Sequence, residues 1–68
     1  MVKVNKLKAR IVELEMTVDA VAERMGVDKS TLYRRFQAPD SLTVGEVGKL
    51  SEILELDDRT AMSIFFSV

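Results

Sequence analysis

Lys29, Ser30, Tyr33, Arg34 and Gln37 are the residues whose types and spacing promise chemistry. At about 100° per residue, Lys29, Tyr33 and Gln37 line up along a helix, with Ser30 and Arg34 beside them. Each side chain is a hydrogen-bond donor, or both donor and acceptor. Such a row can grip an anion or read polar edges presented in a fixed order. It does not suit bond-making. The chain has neither histidine nor cysteine, which removes the commonest general base, the commonest metal ligand and any thiolate. Carboxylates and Lys49 remain, but 68 helical residues leave little room for a substrate pocket. The expectation is a non-enzymatic chain with no catalytic residue, no cofactor and no metal site.

Those five residues need a rigid support, and the apolar periodicity supplies one. Short polar or Gly/Pro breaks divide the chain into about five helical segments, with no alternating strand pattern, so the expected fold class is all-α. The first runs from about Val4 to Leu14, with Val4, Leu7, Ile11 and Leu14 on one face. The second, about Val18 to Met25, has Thr17 as N-cap, Asp19 complementing the helix dipole and Gly26 as its stop. The third, about Lys29 to Phe36, takes Asp28 as N-cap and turns Leu32 and Phe36 inward. Gln37 to Ser41 reads as a loop, because Pro39 prevents continuation. The fourth, about Val44 to Leu54, opens on a capping box, Thr43-Val44-Gly45-Glu46. Gly45 and Gly48 weaken this helix or admit a close neighbour. The fifth, about Asp58 to Phe66, is capped by Asp57. The expected core is Leu7, Ile11, Val21, Ala22, Met25, Leu32, Phe36, Val47, Leu50, Leu54, Ile64 and Phe65.

Composition fits that picture. With 47% hydrophobic and 31% charged residues, the chain suits a soluble globule rather than a disordered tract. Its length corresponds to a single domain over residues 1–68. No signal peptide is visible, and Ile64-Phe65-Phe66 is far too short to span a bilayer, so a cytoplasmic protein of a bacterial host is expected. The net charge of −1 conceals an asymmetry. Residues 1–37 carry eight basic and five acidic groups, leaving +3; residues 38–68 carry two basic and six acidic groups, leaving −4. A positive half is what a polyanionic partner would meet.

The most specific stretch is Thr17 to Gln37, TVDAVAERMGVDKSTLYRRFQ. Two short helices flank a tight turn at Gly26-Val27. Ala22, four residues before the glycine, leaves room for the second helix to cross steeply, and Val21, Met25, Val27 and Leu32 fill the wedge. This is helix-turn-helix geometry, in which the second helix enters the DNA major groove. There, lysine and arginine suit guanine and glutamine suits adenine. Any one of these features alone is ordinary: a lone glycine is a helix stop, and paired arginines are a solvated face. Their conjunction in one frame carries the reading.

VAERMGVDKSTLYRRF resembles the helix-turn-helix of the lambda-type phage repressor and Cro family. The resemblance covers nearly the whole chain, and small Cro-like proteins of phages and prophages of Gram-positive bacteria are most similar, above all in TLYRRF and SIFF. It implies a compact transcriptional regulator, Cro-like or repressor-like, binding a double-stranded DNA operator in a sequence-specific way. It places Lys29, Ser30 and Arg34 at base-reading positions, with Tyr33 and Gln37 reaching bases or backbone, and Thr17 and Arg35 at phosphates. Two departures stand out. Family members often carry glutamine where this chain has Val18, so a brace on the recognition helix is missing. Arg35 stands where an apolar residue is usual, so Phe36 must supply that anchor while the Arg35 stem packs and its head stays in water. The same stretch also resembles the DNA-binding end of TetR-type repressors. Nothing here could form their long ligand-binding domain, so no small-molecule inducer is expected.

The alternative is a protein-interaction module that keeps the fold and docks the exposed helix on a protein, which the acidic pI of 5.3 favours. For the DNA reading, a homodimer on the operator is expected. Met62, Phe66 and Val68 are then either the dimer interface or part of the core of one chain.

Overall fold

The computed structural model describes residues 1–67, and every regular element among them is helical. In chain order these are α1 (Val4–Glu13), α2 (Val18–Met25), α3 (Lys29–Gln37), a 3-10 turn (Pro39–Ser41), α4 (Val44–Ile53) and α5 (Asp58–Phe66). Helix α2 packs against α1, α3 and α4, while α1 also packs against α5. Eleven of the twelve expected core residues are buried in one cluster; the exception is Val47, which is half-buried at its edge, and Ile53 joins the cluster instead. Leu7, Leu32, Leu50, Leu54 and Val21 have essentially no exposed surface, so the support beneath α3 is dry and close-packed.

The helix ends follow from identifiable bonds. Thr17 Oγ1 accepts the Ala20 N–H, Asp57 Oδ1 accepts the Thr60 N–H, and Thr43 and Glu46 close the full capping box. Asp28 departs from expectation: it occupies the N-cap position of α3, but its side chain accepts no capping bond, and its backbone carbonyl takes the Thr31 and Leu32 N–H groups instead. Gly26 ends α2 at φ +78°, a left-handed conformation that only glycine adopts without strain. Helices α1 and α4 end in the same left-handed way but on glutamates, Glu15 and Glu55. In each, the next residue donates back five positions, Met16 to Ile11 and Leu56 to Ser51.

Two further expectations are corrected. Gln37 is the last residue of α3 rather than the start of a loop, and the segment after it contains a 3-10 turn opened by Pro39. Gly48 does not admit a close neighbour: a Cβ there would meet nothing within 4 Å. A Cβ at Gly45 would only touch the hydroxyl of Thr43 at 3.9 Å.

Long side chains tie the elements together at carbonyl ends. Arg10 Nε of α1 donates to the Leu54 carbonyl at 2.8 Å, and Lys49 Nζ of α4 donates to the Met25 carbonyl at 3.3 Å. Both place a cation at a helix C-terminus, where the dipole and the orphan carbonyls favour it. The backbone N–H of Lys3 donates to the Ile64 carbonyl, which fastens the segment before α1 to α5.

Candidate nucleic-acid interface

Helix α3 buries Leu32 and Phe36 and turns Lys29, Ser30, Tyr33, Arg34 and Gln37 outward. All five are exposed, and Tyr33 keeps about half its surface, 49%, in solvent. They form one continuous polar strip because the helix repeat returns the same face every three to four residues. Thr31, between them, is half-buried and accepts a bond from Arg34 Nη2 at 3.3 Å.

The two residues assigned to phosphates sit at the margins. Thr17 is exposed at the start of α2, with its oxygen accepting the Ala20 N–H; the hydroxyl hydrogen is not used in that bond. The Arg35 head is not free in water, as the sequence suggested, but is held at Nε. Its Nε donates to both carboxylate oxygens of Glu46, at 3.0 and 3.3 Å, with only 31% of the Arg35 side chain and 15% of the Glu46 side chain exposed. The reason is local. Glu46 is fixed at the start of α4 by the Thr43 backbone N–H, which puts an anchored carboxylate beside the flank of α3. That N–H bond holds the Glu46 carboxyl below the usual glutamate range; Arg35 pushes the same way, and partial burial opposes them. Asp57 is likewise held below the usual aspartate range by the Thr60 N–H.

Asp19 is the residue that sequence reasoning placed elsewhere. Its helical position makes it a complement to the α2 dipole, yet its carboxylate faces α3. Oδ1 accepts the Tyr33 hydroxyl at 3.3 Å, and Oδ2 lies 3.8 Å from Lys29 Nζ. No periodic signal could show this, because the contact crosses the turn at an angle set by Ala22 and Gly26.

The helix-turn-helix family pattern matches residues 7–59, from the middle of α1 to the first turn of α5. The chain belongs to the helix-turn-helix family. No curated protein and no solved structure matches it. As a member of a family of DNA-binding regulators, typically non-enzymatic, this helix-turn-helix chain is a DNA-binding regulator in general terms. Among the described residues, no helix is long and apolar enough to cross a membrane.

Proposed function

We propose that this helix-turn-helix protein is a sequence-specific regulator of the Cro or repressor type, and that α3 enters the major groove of its operator. The observation that carries the reading is the exposed polar strip of α3, mounted on an apolar face that is wholly buried. A recognition element must hold donors at fixed positions, and a helix anchored by Leu32 and Phe36 does so. In this reading Lys29, Ser30, Tyr33, Arg34 and Gln37 contact base edges. Arginine's planar fork offers two donors to the O6 and N7 of one guanine, which makes Arg34 the principal specificity contact. Thr17 donates to a phosphate, and the terminal nitrogens of Arg35 reach another while Nε keeps Glu46.

The regulator binds as a homodimer, because one recognition helix covers only a few base pairs. Met62 and Phe66 are the candidate interface: they remain 46% and 59% exposed, whereas Ile64 and Phe65 beside them close the core. Val68, the third residue of that group, lies outside the described residues. A phage or prophage origin in a bacterial cytoplasm is the setting this reading implies.

The test is selection from a pool of random duplexes, followed by salt titration on the winner. A defined site should emerge, and its affinity should fall steeply between about 50 and 200 mM salt as counterions are released. A module that docks on proteins, which the acidic pI of 5.3 favours, would enrich no sequence.

A further inference from the structure

Asp19 is a carboxylate placed among the cations of the polar strip. Its two oxygens are divided between two residues one helical turn apart on α3, Tyr33 at 3.3 Å and Lys29 at 3.8 Å. The side chains of Lys29 and Asp19 are 70% and 54% exposed, so this contact adds little to fold stability. Its effect falls on what α3 offers to a ligand. We propose that Asp19 is a specificity-determining residue for DNA: it biases the direction of Tyr33 and Lys29, and its charge penalises binding to phosphates alone. The inference rests on the reading of α3 as the recognition helix.

The physical argument has two parts. A duplex of any sequence attracts Lys29 through its phosphates, and a carboxylate within 4 Å of that ammonium opposes the attraction without regard to sequence. The same carboxylate accepts the Tyr33 hydroxyl, which biases the ring toward Asp19, and its charge draws the Lys29 ammonium the same way, so fewer of their rotamers compete. A duplex that offers base edges in that arrangement gains from the bias; one that does not meets only the repulsion. Specificity is a difference of affinities, and an element that repels the wrong partner raises it.

The experiment compares wild type with Asp19→Asn and Asp19→Ala on the selected duplex and on a random one, across salt. Asn keeps an acceptor for Tyr33 and removes the charge. Asp19→Asn should tighten binding to the random duplex about three- to tenfold at low salt and steepen the salt slope by about 1, as one more phosphate contact becomes available. The selected duplex should gain less, so the specific-to-random ratio falls. Asp19→Ala should lower the ratio further, because Tyr33 loses its partner. A ratio unchanged in both variants, with wild type still preferring its site, would overturn the inference alone. If wild type prefers no duplex at all, the reading of α3 fails and takes this inference with it.

Discussion

At the scale of single residues, the polar strip of α3 was legible in the sequence and its neighbours were not. Lys29, Ser30, Tyr33, Arg34 and Gln37 share one face by helical repeat alone, and the structure exposes all five. The partners of Arg35 and Tyr33 come from other helices. Arg35 and Glu46 are separated by the turn after α3, and Tyr33 and Asp19 by the turn before it, so no local pattern joins them. The Arg35–Glu46 pair gives Arg35 two jobs that can be separated. Arg35→Ala should destabilise the free protein by about 1–2 kcal/mol, since Glu46 is left partly buried with the Thr43 N–H but without its cationic partner. It should also weaken selected and random duplexes by the same factor and lower the salt slope by about 1. Denaturant melts without DNA read the first effect and duplex titration the second. Unchanged stability would mean the ion pair is idle, and a loss confined to the selected duplex would make Arg35 a base reader.

At the scale of elements, three helix starts were readable because caps are side-chain chemistry: Thr17, Thr43 and Asp57 accept their expected N–H groups, whereas the Asp28 side chain accepts none. The ends were harder. Gly26 announces itself, but α1 and α4 stop on Glu15 and Glu55, whose left-handed backbone is imposed by packing of the following Met16 and Leu56 rather than by residue type. Glu46 links a start to the solvent. Its folded-state carboxyl lies below the ordinary glutamate range, so its contribution is present above the unfolded value, about pH 4.3, and is lost as pH falls through the folded one. Glu46→Ala should therefore cost about 1–2 kcal/mol at pH 7, and the gap to wild type should close toward pH 3 in urea denaturation. An equal gap at both pH values would show that ionisation contributes nothing. Gly48 offers the opposite sign. It sits inside α4 facing open space, so Gly48→Ala should stabilise by about 1 kcal/mol and raise the melting temperature by about 4–8 °C. A lower melting temperature would mean that a neighbour does approach there.

At the scale of the whole molecule, the small core holds α3 on its outer side and leaves Met62 and Phe66 of α5 in solvent. Sedimentation should find two chains on a selected two-fold site, with weaker or no pairing in free solution. Phe66→Ser should lower affinity for the full site and leave a half-site unaffected. A 1:1 complex on an asymmetric site would rule out dimeric binding. The central claim is that α3 reads bases in the major groove, and Arg34 tests it most directly. Binding of Arg34→Ala should be measured on the selected duplex, on its single-base variants and on random DNA. The account predicts a loss of about 1–3 kcal/mol on the selected duplex, little change on random DNA, and a relaxed preference at one guanine position. An equal loss on selected and random duplexes, with every base preference intact, would contradict it.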